Sequence, residues 1–163
     1  MRSRPARTYD EYFWEDTGSA QIDASSSPYS SRVGSYTAGD ILMIALDLDN
    51  NALYFGKNGT WENSATATEI ANGTVTNAFA SGTTLIPNAG ASGDGHAYFF
   101  YCNPHPSGTN ITWNFGQDSS FAGLETAQGN SDSGSGTTDF YYTPPTGFLA
   151  CNSVNLPDVT ISP

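Results

Sequence analysis

Few residues in this chain have the types and spacing to do chemistry. Asp47-Leu48-Asp49 is formally a D-x-D, a spacing that can set two carboxylates on one divalent cation. A calcium loop opening at Asp47 needs Gly at its sixth position and Glu at its twelfth, and those positions hold Ala52 and Asn58. A turn is the better account of Asp47-Leu48-Asp49-Asn50-Asn51, because short polar side chains cap nearby amides and tolerate left-handed backbone. His96 and His105 stand alone, outside any metal or triad pattern, and read as surface residues. Cys102 and Cys151 are the only cysteines and form no CxxC. They read as two buried free thiols, with a disulfide between them left open.

Catalytic arrangements fare no better. Jelly-roll glycosidases need two carboxylates at a set separation on one concave face, which calls for alternating acids along a strand. The strands read below carry aromatic and aliphatic residues instead. No G-x-S-x-G and no phosphate-cradling loop occurs, and no nucleophile is matched with a base. The sequence therefore predicts a protein without catalytic, metal or cofactor sites. The aromatic run Tyr98-Phe99-Phe100-Tyr101 has the faces to stack on sugar rings, but filling a core is the stronger reading.

The elements that would position these residues are short strands. Tyr9 to Trp14 reads as a strand and Asp16 to Tyr36 as loop. Gly39-Asp40 opens the clearest element, Ile41 to Leu46, whose unbroken apolar run predicts a strand covered on both faces. Ala52 to Lys57 returns beside it, with Leu53 and Phe55 on one face and Tyr54 on the other, and Asn58-Gly59 is a tight-turn signal. Residues 62 to 83 read as loop, with one or two helical turns over Ala65 to Ala71. Thr84 to Pro87, His96 to Cys102, Ile111 to Phe115 and Phe148 to Cys151 read as further strands. Ile111, Trp113 and Phe115 alternate inward. Gln128 to Thr138 is a Gly/Ser/Asn loop, and Phe140-Tyr141-Tyr142 runs into Pro144-Pro145. Such a succession predicts an all-β, antiparallel two-sheet sandwich with little helix. Trp113, Phe115, Leu46, Leu53 and Phe55 are expected to share its core.

The 163 residues suit one domain. Residues 1–8 read as a basic unstructured start, 9–154 as the sandwich and 155–163 as an extended exit segment. The net charge is −11, and three of the five basic residues are Arg2, Arg4 and Arg7. So acidic a surface repels phosphate backbones, which argues against nucleic acid as a partner. No apolar run follows the first residues, so no secretory signal is expected, and Ile41 to Leu46 is too short to span a membrane.

Gly39-Asp40-Ile41, Leu46-Asp47-Leu48-Asp49-Asn50, Leu53-Tyr54-Phe55 and Lys57-Asn58-Gly59 together resemble the central hairpin of SPRY (concanavalin A-like) domains. Leu85-Ile86-Pro87, followed by Trp113-Asn114-Phe115-Gly116, resembles that family's later strands. The segments from Asn114 to Gly123 and from Asp139 to Phe148, which carries Pro144, Pro145 and Gly147, look like the SPRY-containing structural proteins of tailed phages and related environmental viruses. So does Asn155-Leu156-Pro157. The resemblance covers roughly residues 30 to 158. It implies a virion protein, assembled in the host cytoplasm as a tail-fibre, tail-associated or capsid-decorating module. Its partners would be other virion proteins, further copies of itself, or a host surface protein or glycan. A soluble adaptor gripping a peptide with its loops, or a lectin-like module, is the alternative.

The resemblance departs in one place. Phe13-Trp14-Glu15 looks like the family's opening Trp-Tyr/Phe-Glu pattern, yet too few residues separate it from Gly39 for the strands that should follow. The chain is expected to begin partway through the family pattern and to leave sheet edges open. Two ways of covering the gap stay open: a strand or surface from a neighbouring subunit, or residues 1–38 folding back with Tyr12, Phe13 and Trp14 as the plug.

Overall fold

The computed structural model describes residues 12–18, 20–22, 30–82, 100, 110–134 and 137–155. The chain divides into two compact units, Met1–Ala89 and Gly90–Pro163. Strands outnumber helices among the described residues and every pairing is antiparallel. Leu85 to Pro87, His96, Tyr98, Phe99, Tyr101, Cys102, His105 and the 155–163 exit segment beyond Asn155 lie outside the described residues, as does the 1–8 start.

In the first unit β1 (Tyr12–Trp14) pairs with β2 (Ala20–Ile22) as a separate two-stranded sheet. The strand β2 and a 3-10 turn over Ser30–Arg32 fall where the sequence reads as plain loop. The predicted hairpin is present: β3 (Leu42–Asp47) pairs with β4 (Ala52–Lys57), placing Leu42 opposite Lys57 and Asp47 opposite Ala52. At Asn58-Gly59 the chain reverses with φ of 50° and 81° and returns as β5 (Thr60–Trp61). A capping box opens α1 (Ala67–Ala71). The Thr66 hydroxyl accepts from the Glu69 amide at 3.2 Å, and Glu69 accepts from the Thr66 amide at 2.9 Å. Finally β6 (Ala80–Ser81) lies against the start of β4.

β4 is the centre of this sheet. β3 takes one of its edges, while β5 and β6 share the other. Leu53 and Phe55 face a core of Val33, Phe79 and Ala80, onto which Trp14 and Leu46 pack. Tyr54, on the opposite face, is 1% exposed and donates to the Thr74 carbonyl at 3.0 Å. Gly56 lies beneath the side chains of Met43 and Trp61. A Cβ there would come within 3.0 Å of the Trp61 ring and of the Thr60 carbonyl.

This corrects the reading of Ile41 to Leu46 as the strand covered on both faces. Leu42 is 40% exposed and Ile44 38%. Apolar composition shows that a strand can be buried, but its place in the sheet decides which strand is, and among the described strands only β4 has neighbours on both edges and buried residues on both faces. Fold-back does occur at Trp14. Its ring lies 5.5 Å from that of Phe55 and 5.5 Å from that of Tyr36, and its Nε1 donates to the Gly34 carbonyl at 2.8 Å.

The second unit departs further from expectation. Ile111 to Phe115 and Phe148 to Cys151 are irregular rather than strands, and the described pairing is one antiparallel bridge, Asn130 with Phe140. Trp113 is 38% exposed and Ile111 48%. The five residues expected to share a core, Trp113, Phe115, Leu46, Leu53 and Phe55, are divided between the two units. The last three belong to the core of the first unit, whereas Trp113 stacks on Phe115 with ring centroids 5.6 Å apart. Alternation over 111–115 is the period of a strand, but these residues have no described strand partner to make it one. Cys151 is an exposed free thiol instead of a buried one.

Truncating Phe79 to Ala should destabilise the protein by about 3–5 kcal/mol, the usual cost for a buried aromatic. Trp113→Ala should cost clearly less, because its ring is already partly in water. Denaturant titration of both variants checks this, and equal losses would contradict the assignment.

Candidate functional site

The hairpin motif residues form a set of local locks. Asp47 accepts from the Asn50 backbone amide at 3.0 Å and from the Asn50 side-chain amide at 2.9 Å. Asn51 then takes φ 52° to close the turn. The D-x-D is therefore a turn cap, with Asp49 exposed beside it. At the other end Gly39, at φ 91°, delivers Asp40 to Asn58. Asp40 accepts from the Thr37 amide at 2.8 Å and from the Asn58 side chain at 2.6 Å. Asn58 in turn accepts from the Ile41 amide at 2.9 Å and donates its own amide to the Ile41 carbonyl at 2.9 Å. The Thr37 amide, followed by the Asn58 side chain, holds the Asp40 carboxyl below its ordinary value. Lys57 is turned to the Ser35 carbonyl at 2.5 Å.

The motif residues of the second unit do related work on irregular backbone. The Asn114 side-chain oxygen accepts from the amides of Gly116 at 2.8 Å and Gln117 at 3.0 Å, while its nitrogen donates to the Asp139 carbonyl at 3.0 Å. Gly116 sits at φ 89°, where a Cβ would stand 3.0 Å from Ala150 and 3.1 Å from the Phe140 ring. Pro145 is buried and accepts from the Phe148 amide at 3.1 Å, with Gly147 at φ 89° inside that turn. The structure thus brings together the motif residues from Gly39 to Gly59 in one unit, and those from Trp113 to Gly147 in the other. Pro87 lies outside the described residues.

Sequence reasoning missed the buried acceptors beneath these motifs. Asp132 accepts from the amides of Ala150 at 2.7 Å and Gly134 at 3.0 Å and from the Asn155 side chain at 2.8 Å. Burial works against its charge, but those donors outweigh it and keep the carboxyl below its ordinary value. Ser119, fully buried, accepts from the Gln128 amide at 2.8 Å and hydrogen-bonds to Asp139, whose carboxyl it depresses. An Asx or Ser in a Gly/Ser/Asn-rich stretch gives no sign of which copy is buried.

Among the described residues no group of three His, Cys, Asp or Glu side chains is placed to hold a metal. No helix there is long and apolar enough to cross a membrane. Two surface features remain as candidates. One is a cluster of Phe100, Trp113 and Phe115, with Phe100 5.7 Å from Phe115 and 6.3 Å from Trp113.

The other is the outer edge of β3. Because Asn58 donates to the Ile41 carbonyl opposite it, antiparallel alternation directs Met43, Ala45 and Asp47 at β4. The N–H and C=O groups of Leu42, Ile44 and Leu46 therefore point away from β4. No described strand meets them. Side chains of the same three residues share the core-side face, where Leu42 and Ile44 stay exposed. Among the described residues the site is an unpaired row of backbone groups flanked by apolar surface. The missed signal is that a run such as Ile41 to Leu46 fits an edge strand awaiting a neighbour as well as it fits a central one.

Comparison with protein-family models, with curated proteins and with solved structures finds no match for this chain.

Asp118, Asp132 and Asp139 are all held below the ordinary carboxyl value. Groups depressed by folding contribute stability that is present above their unfolded values, near pH 4, and lost as pH falls through the lowered folded values. The second unit should therefore weaken on acidification below about pH 4. Asp132→Asn should lower its stability at neutral pH by about 1–3 kcal/mol and flatten the acid dependence. Denaturant titration between acid and neutral pH checks both, and an unchanged pH profile in the variant would contradict the role of Asp132.

Proposed function

We propose that this chain is a binding and assembly module of SPRY (concanavalin A-like) type, acting without catalysis within a structural protein of a tailed phage or related virus. In this reading the antiparallel sheets form a two-sheet sandwich, and the module belongs to a tail fibre, a tail-associated protein or a capsid decoration. The observation that carries the reading is the open apolar edge of β3. Natural proteins seldom leave such an edge exposed, because it templates pairing with another chain, and strand addition is a common way to fill one. A virion supplies neighbours in fixed symmetric positions.

The locked hairpin from Gly39 to Gly59 supports the family reading, since the residues that carry the resemblance are the ones that hold its turns. Several carboxylates, Asp40, Asp47, Glu69, Asp118 and Asp132, are engaged with turn and loop donors, which supports a structural role for them over acid–base work. The exposed rings of Phe100 and Trp113 favour a second reading, a glycan-binding module, because aromatic faces stack on sugars.

Immunogold labelling of purified virus particles with an antibody to this chain tests the proposal. The expected result is label at fixed positions on the particle. Label confined to the soluble fraction of infected cells would overturn it.

A further inference from the structure

We infer that the outer edge of β3 takes up an extended segment of a partner protein, one with alternating apolar residues and a Lys or Arg just beyond each end of the paired stretch. The inference rests on the assembly reading above and adds the place and the chemistry of the contact. The backbone part follows from register. Leu42, Ile44 and Leu46 offer their N–H and C=O groups outward, so an added strand gains a full set of ladder bonds without disturbing β4. The apolar part follows from exposure, since side chains on the same face of an incoming strand would lie beside Leu42 and Ile44 and cover them in part.

Charge selects among occupants. Asp40 precedes β3, Asp47 ends it and Asp49 follows, on a chain of net charge −11. The nearby cation Lys57 is turned to the Ser35 carbonyl. A second copy is a poor occupant. Antiparallel pairing of β3 with itself through the outward groups sets Ile44 opposite Ile44, Leu42 opposite Leu46 and Ile41 opposite Asp47. Asp40 of one copy then stands opposite Leu48 of the other, flanked by its Asp47 and Asp49, so acids of both copies gather at both ends of the contact. Gathering like charges at both ends of the contact opposes this pairing. A strand with cations at those ends turns the same positions into attractions. The apolar stretch supplies area, and the flanking acids supply orientation and choice of partner.

The test uses the full chain, labelled with 15N, and two blocked heptapeptides, Lys-Val-Thr-Val-Thr-Val-Lys and its counterpart with Glu at both ends. The Lys-ended peptide should shift the amide signals of Leu42, Ile44 and Leu46. It should bind about tenfold tighter than the Glu-ended one at low salt, with the difference shrinking as salt is raised. Ile44→Pro removes an outward N–H without touching the β4 ladder and should abolish binding. Ile44→Thr, which keeps the β-branch, should weaken it and guards against a folding defect in the proline variant. Asp49→Asn should narrow the preference between the peptides.

Equal binding of both peptides, shifts confined to the second unit, or binding that survives Ile44→Pro would overturn the inference. So would a doubled mass by light scattering without peptide, which would assign the edge to a second copy. Protection of the three amides in the free chain would also overturn it, since the edge would already be filled. If particles carry the label but the peptide fails, the site is wrong and the assembly reading stands. If the peptide binds as stated but particles carry no label, the edge stands and the virion reading falls.

Discussion

β4 is hydrogen-bonded along both edges and buried on both faces, and the first unit is arranged to satisfy that one strand. Its Leu53 and Phe55 need an apolar cover, which Val33, Phe79, Ala80 and Trp14 provide. Tyr54 on the other face is too large and too polar to bury alone, so its hydroxyl needs the Thr74 carbonyl. That requirement ties the segment after α1 to the sheet. Gly56 keeps the same face low enough for Met43 and Trp61 to close over it. With β5 and β6 on the other side of β4, β3 is an edge among the described strands.

The second unit meets the same demand, that buried backbone groups find partners, by different means. Its described segments have one bridge between them and no long ladder. Side chains take over as acceptors: Asn114 for the turn that follows it, Ser119 for Gln128, and Asp132 for Ala150 and Gly134. Such a network is pH-sensitive where its acceptors are carboxylates; in the first unit the depressed carboxylates, Asp40 and Glu69, cap turns and a helix, while the packing around β4 is apolar. The two units should therefore respond differently to truncation of aromatic residues.

How much of this was legible in the sequence depended on whether the signal was local. The hairpin was, since Asp47 to Asn51 and Asn58-Gly59 encode their turns within a few residues, and so was α1, whose capping box is a Thr and a Glu three positions apart. The role of β3 was not. Ile41 to Leu46 carries the same apolar run whether it lies at the centre or at the edge, and the difference is made by residues 60–61 and 80–81, distant in sequence. Trp113 and Phe115 alternate as a strand would, but a period of two has meaning only beside a partner strand. The buried Asp132 was invisible because its donors come from Gly134, Ala150 and Asn155, a set that only the fold assembles.

Amide hydrogen exchange along β3 in the isolated chain tests the central claim most directly. An edge strand bonded on one side only should show alternation. The amides of Met43, Ala45 and Asp47, directed at β4, should be protected, while those of Leu42, Ile44 and Leu46 exchange freely. The amides of β4 should be protected along its paired length, whichever neighbour they face. Uniform protection across all six residues of β3 would contradict this account, because it would mean that the outer edge is already covered.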